Sequence, residues 1–195
     1  MEPMAKQSVA GFLSALAAKT PAPGGGATAC LAGALACAQA EMVVAYSLGK
    51  KNLAEHQELL AGAAQELVRA RGMLLELADE DAAAYGELNR LMKLAEGDAE
   101  RAKLPVASEQ AAMVPLSAMA VCGEVARVCA ELGGKSNAML RSDLEIARGL
   151  AEVAGWACSK NVAVNLAGLV EPALGRVSGQ LAALKGKVPS RWSND

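Results

Sequence analysis

Aromatic side chains are nearly missing from this chain: one Phe, two Trp and two Tyr among 195 residues. A core of that size must be filled with aliphatic and small side chains. Alanine recurs throughout, and it favours helices because it gives up no side-chain entropy on entering one. Strand signals are missing too, since no alternation of β-branched residues runs long enough for a sheet. The net charge is -2, without the basic excess of a general nucleic-acid binder. A single histidine, His56, sits among Glu55, Gln57 and Glu58 as a solvated residue would. Any acid–base chemistry must proceed without imidazole.

The five cysteines, at positions 30, 37, 122, 129 and 158, include no Cys-x-x-Cys pair. Their odd number, and the lack of an apolar signal segment in "MEPMAKQSVAGFL", suit small buried residues in a reducing cytoplasm rather than disulfides or a metal site. A membrane span is not expected either. From Gly24 to Ala38 the only polar side chain is Thr28, but Gln39 and Glu41 interrupt the run and much of it is Ala and Gly. A span needs ~20 strongly apolar residues. The segment reads as a buried helix, small on every side, at the centre of a bundle.

Periods of three and four dominate, which predicts an all-α, single-domain bundle of about six helices over residues 1–195. The expected spans are Ser8 to Ala18, Ala27 to Leu48, Asn52 to Met92, Val106 to Leu132, Ser142 to Leu166 and Glu171 to Lys185. A polar, frayed tail follows. Ser142 or Asp143 would cap the fifth helix, and Pro115 would kink the fourth. The third would reach ~60 Å at 1.5 Å per residue. That overhangs a monomer of this size and predicts a homo-oligomer, at least a dimer.

The third helix also holds an anomaly. Counting by sevens gives Leu53, Leu60, Leu67, Leu74, then Asp81, then Leu88. Asp81 is the only carboxylate on that seam, whereas Glu76, Asp79 and Glu80 fall off it and can stay solvated. A desolvated, unpaired carboxylate has a raised pKa, the condition wanted for moving protons near neutral pH. Two plainer explanations compete with that one: an Arg or Lys from another helix could pair with Asp81, or the partner helix could end there.

"TPAPGGGATA", Thr20 to Ala29, joins two helices through three consecutive glycines. It permits close backbone approach at a helix N-terminus, where free N–H groups can meet an anion. No Gly-Lys-Ser/Thr follows, so it is not a nucleotide-binding Walker loop. The stretch Phe12 to Val43 around it resembles the opening of the formimidoyltetrahydrofolate cyclodeaminase and methenyltetrahydrofolate cyclohydrolase family. The likeness continues at "LGKK" (48–51), "DEDAAAY" (79–85), "MVPL" (113–116), "SDLEIA" (142–147) and "NVAVNL" (161–166). It departs after Lys93-Leu94, where "AEGDAERAKLP" replaces the usual proline, and in the longer "GGKSNAMLRSD".

The resemblance implies an oligomeric helical enzyme with its folate site at a subunit interface. It also implies a catalytic aspartate in Asp-x-Asp-Ala-x-x-Tyr, at Asp81. The implied substrate contacts are Gly24, Gly25 and Gly26, with Lys50, Lys51, Lys93, Ser142 and Asp143, and Arg141 as a further cation for the folate carboxylates. The implied partners are tetrahydrofolate derivatives, polyglutamylated or not, with no metal and no cofactor beyond the folate. Two reactions fit: cyclisation of 5-formimidoyltetrahydrofolate to 5,10-methenyltetrahydrofolate with loss of ammonia, or hydrolysis of the methenyl compound to 10-formyltetrahydrofolate. A non-catalytic helical oligomer or folate-binding scaffold is the competing reading. The enzyme reading expects one open pocket holding Asp81, the Gly24–Gly26 backbone and at least one lysine.

Overall fold

The computed structural model describes residues 3–185; the tail beyond Lys185 lies outside the described residues. Six α-helices carry the fold: α1 (Val9–Leu16), α2 (Gly25–Ala45), α3 (Gln57–Met92), α4 (Leu104–Glu131), α5 (Arg141–Leu166) and α6 (Ala173–Lys185). No strand occurs among the described residues. Short 3-10 turns lead into three of them, at Lys51–His56 before α3, Ala99–Lys103 before α4 and Ala138–Leu140 before α5. The cap of α5 differs from expectation. Neither Ser142 nor Asp143 caps it; Asn137 instead holds the preceding turn by accepting from Met139 N.

Helices α2 to α5 form an up-down-up-down bundle. The start of α2 meets the far half of α3 at Gly26 and Asp81 and the end of α5 at Gly25 and Asn161. Its other end meets the start of α5, where Gln39 Nε2 donates to Asp143 Oδ1 at 2.8 Å. Arg71 on α3 clamps Glu41 on α2 with two hydrogen bonds, at 2.7 and 3.2 Å. Gln39–Asp143 and Arg71–Glu41 thus hold α2 between its two antiparallel neighbours.

The core follows the predicted seam as far as Leu74 and then rotates. Leu60, Leu67 and Leu74 are fully buried, and Ala63 and Ala70 nearly so. After Leu74 the next buried position is Ala78, the drift expected when a helix of 3.6 residues per turn carries a seven-residue repeat. Asp81 is thereby turned to the edge of the seam, toward the start of α2. Proline 115 is buried inside α4, which continues through it.

Small residues let α2 sit close to its neighbours. A Cβ on Gly33 would lie 2.8 Å from Cys122 Sγ and 3.0 Å from Leu74 Cδ1. All five cysteines are buried and unbridged. Thiol hydrogen bonds join Cys30 on α2 to Cys158 on α5, and Cys158 to Cys122 on α4. The bond to Cys158 and burial push the Cys30 thiol far up, the bond to Cys122 and burial push Cys158 up against an opposing contribution from Cys30, and burial pushes Cys37 and Cys129 each to about 12. These four thiols act as packing, not as nucleophiles.

Two helical stretches, Gly25–Ala45 and Ala99–Glu131, are long and apolar enough to cross a membrane, yet 56% and 61% of their apolar windows are buried inside the bundle. They are core helices. However, α2 is not enclosed on every side as its composition suggested. Leu35 is 64% exposed and Tyr46 62% exposed, and with Leu31 and Met42 they line an apolar face open to solvent.

Gly33→Val should cost about 1–3 kcal/mol in urea unfolding, because the core has no room for the added methyls. Gly62→Ala, with no atom within 4 Å of the new Cβ, should stabilise α3 by roughly 0.5–1 kcal/mol.

Candidate active site

The site is built where α2 begins. The chain enters through a cis Ala22–Pro23 peptide, and Gly24 takes the N-cap position without a capping side chain. Thr28 closes the first turn: its backbone N–H donates to Gly24 O at 3.0 Å and its hydroxyl at 2.9 Å. A helix start leaves its first N–H groups without intrahelical partners; here the one on Ala27 is met by the Asp81 carboxyl from α3. Gly26 is the tightest of the three glycine positions. The Asp81 carboxyl lies against its Cα, and any Cβ there would overlap both carboxyl oxygens. Gly24, by contrast, has nothing within 4 Å of a Cβ.

Burial is the main influence on Asp81 and raises its pKa; a hydrogen bond from the Ala27 backbone N–H opposes that without cancelling it. No cationic side chain is among the groups acting on it. The ion-pair alternative for an acid on this seam is therefore excluded among the described residues. Asp79, two residues earlier, faces elsewhere: its Oδ1 accepts from Met4 N at 2.9 Å and ties the N-terminal turn to α3. Glu76 and Glu80 are exposed.

Asp81 opens into a cavity of about 280 Å³ whose wall includes Gly24, Gly25, Gly26, Tyr85, Asn161 and Asn165. Of the predicted contacts, only the three glycines share this cavity with Asp81. No lysine lines it. Lys50, Lys51, Ser142 and Asp143 lie at the opposite end of the bundle, where Asn137 N donates to Ser47 Oγ at 2.9 Å and Asp143 is held by Gln39. The length of α2, ~30 Å at 1.5 Å per residue, separates the two ends. Lys93 caps α3 well past Asp81, ~18 Å along the axis, and is exposed. Arg141 is engaged by Glu145 at 2.9 Å. The up-down topology explains this division: residues just before and just after a helix face opposite ends.

Two cavity residues escaped notice as candidates, Asn161 and Asn165. Their signal was present, since they are a polar pair at i and i+4 on the otherwise apolar "NVAVNLAGL" and so share one helix face.

Residues 8–176 match the formiminotransferase-cyclodeaminase family. The chain belongs to that family. Among its relatives, the methenyltetrahydrofolate cyclohydrolase of Methylorubrum extorquens is 30% identical over 168 residues, covering 84% of this chain and 81% of that protein. The formimidoyltransferase-cyclodeaminase of Dictyostelium discoideum is 28% identical over 165 residues, 85% of this chain. This chain spans only 31% of that longer protein. The crystal structure of formiminotetrahydrofolate cyclodeaminase from Thermotoga maritima superposes with a TM-score of 0.80 at 26% identity, covering 96% of both chains.

The raised pKa of Asp81 has a measurable sign. The folded state holds this proton more tightly than the unfolded chain, so wild type loses stability as pH rises from the ordinary carboxylate range through the raised value. Asp81→Asn removes that part of the loss. Thermal unfolding across pH should show the variant gaining on wild type as pH rises through this window; parallel profiles would contradict a desolvated acid.

Proposed function

We propose that this chain is a soluble, cytoplasmic folate one-carbon enzyme, and that its reaction is cyclisation of 5-formimidoyltetrahydrofolate to 5,10-methenyltetrahydrofolate with loss of ammonia. The observation that carries the reading is the Asp81 carboxyl: desolvated, free of a cationic partner and opening into a cavity beside an uncapped helix start. A scaffold has no use for that arrangement.

The chemistry needs one well-placed acid. N10 of the folate attacks the carbon on N5, a C–N10 bond forms, and N10 gives up its proton. The bond from that carbon to the imino nitrogen then breaks. That nitrogen leaves as ammonia only after gaining two protons, because an unprotonated amine is a poor leaving group. Asp81 delivers its own proton and then relays the one released from N10, and the carboxylate takes a proton back from solvent after turnover. Acid catalysis of this kind contributes ~10²–10⁴-fold, with a further gain from holding N10 against the carbon. The Methylorubrum relative supports a second reading, methenyltetrahydrofolate cyclohydrolase, in which Asp81 activates water at the same carbon.

The open face of α2 supports a dimer that completes the site. Leu35 stands at the midpoint of Gly25–Ala45 and is its most exposed large apolar residue. A two-fold axis passing there pairs the start of each α2 with the end of the other, the self-complementary geometry of an isologous contact. It carries the partner subunit's Lys50 and Lys51, with the partner subunit's Ser142 and Asp143, to the cavity holding Asp81 and Gly24–Gly26. Those cations would meet the folate carboxylates, polyglutamylated or not. Lys93 remains a candidate for the same tail from its own subunit. No metal or cofactor beyond the folate enters this scheme.

Both substrates should be offered to wild type, Asp81→Asn and Gly26→Ala, following the near-ultraviolet absorption of the methenyl compound. Wild type should turn over one of them, and both variants should lose at least ~10²-fold; a wild type inert toward both sinks the folate reading. Mixing Asp81→Asn with a Lys50→Ala/Lys51→Ala variant should regenerate about one quarter of the wild-type sites, because half the dimers are mixed and each has one intact site. Recovery no greater than the sum of the parents would rule out the shared site.

A further inference from the structure

Part of the cavity wall comes from the last turns of α5, where Asn161 and Asn165 each offer a carboxamide oxygen as an acceptor. Asn161 Nδ2 donates to Ala157 O at 3.0 Å. Asn165 Nδ2 donates across to Ala111 O on α4 at 2.6 Å. A carbonyl oxygen can only accept, so each carboxamide must present its nitrogen there, which fixes its orientation. The oxygen is left over. For Asn161 its position is defined: Oδ1 lies 3.1 Å from the site of a Cβ on Gly25. The neighbouring glycine, Gly26, carries the Asp81 carboxyl on its Cα. Consecutive glycines thus separate an acid on α3 from a fixed acceptor on α5.

The polarity of the cavity follows from the same topology. The start of α2 contributes donors and a positive helix end, whereas the end of α5 is a negative one. Among the described residues, Tyr85 is the only other titratable side chain lining the cavity, and none of the lining side chains is cationic. A ligand filling the space beside Asp81 satisfies the Asn161 oxygen by presenting an N–H, an O–H or a positive charge to it.

We propose that Asn161 is a specificity-determining residue, its carboxamide oxygen accepting the N–H of the imino nitrogen that Asp81 protonates. This rests on the folate reading above. Asn161 holds the departing nitrogen by its hydrogen, leaving the lone pair for the proton from Asp81. It selects a reacting carbon that bears nitrogen over one that bears oxygen, because an oxygen there would place two acceptors against each other and leave both unpaired.

The isosteric pair 5-formimidoyltetrahydrofolate and 5-formyltetrahydrofolate differs in that N–H, so it reads the contact directly. Wild type, Asn161→Leu and Asn161→Asp are compared for kcat/KM with the formimidoyl compound and for Ki of the formyl compound as competitor. Asn161→Leu should lose about 10- to 100-fold in kcat/KM while the formyl Ki stays within about 3-fold, an imbalance a merely structural role would not produce. Asn161→Asp keeps an acceptor and should keep the wild-type preference, which tests the idea even if the leucine variant folds poorly. Equal loss toward both compounds, or no loss toward either, overturns the role of Asn161 and leaves the folate reading standing. A wild type that neither turns over the formimidoyl compound nor binds the formyl one removes both.

Discussion

Everything near the cavity depends on one van der Waals contact, the Asp81 carboxyl resting on the bare Cα of Gly26. It takes an acid out of water while leaving one side of it open to a small molecule. The two effects on its proton oppose each other, since burial favours the neutral form and the Ala27 N–H favours the charged one. Burial prevails, and among the described residues no cation is placed to reverse the result. Had a side chain stood at position 26, α3 would have been held away and Asp81 returned to solvent.

The same economy of side-chain volume governs the whole of α2. Its contacts with Leu74 and Cys122 at Gly33 repeat, inside the core, the close approach made at Gly26. A helix this small can touch three neighbours at short range, and dispersion gains rise steeply as such gaps close. Too little bulk remains to shield its outer side, hence the uncovered face around Leu35. Catalytic geometry and the incompleteness of the single chain thus share one compositional origin.

Much of this was legible in the residues. The leucines at 60, 67 and 74 announced the seam of α3, and Asp81 stood out because its neighbours were so regular. The three glycines were informative for a related reason, as a steric requirement leaves a mark that any reader of sequences can find. What stayed hidden was position along the axis. Lys50 and Gly24 flank the same helix and look close in the chain, yet topology sends them to opposite ends. Asn161 and Asn165 were missed because a polar residue in the last turn of an apolar helix looks like ordinary solvation; only the carbonyls of Ala157 and Ala111 show that their nitrogens are engaged and their oxygens left over. The caps of α5 were misjudged because a 3-10 turn led by Asn137 precedes the helix.

The up-down bundle also sets when the chemistry can begin. Gly24 to Gly26 belong to the first seventh of the chain and Asn161 to the last fifth, with Asp81 between them. Contacts of such long sequence separation close late, after the intervening loops have lost their freedom. A chain emerging from the ribosome would carry Asp81 on a helix long before α5 existed to complete the wall around it. Until then that carboxyl has the start of α2 to rest on but no wall opposite it. Its reactivity is not a property of the residue or of its helix alone; it also needs the wall supplied by the last large helix of the bundle to be made.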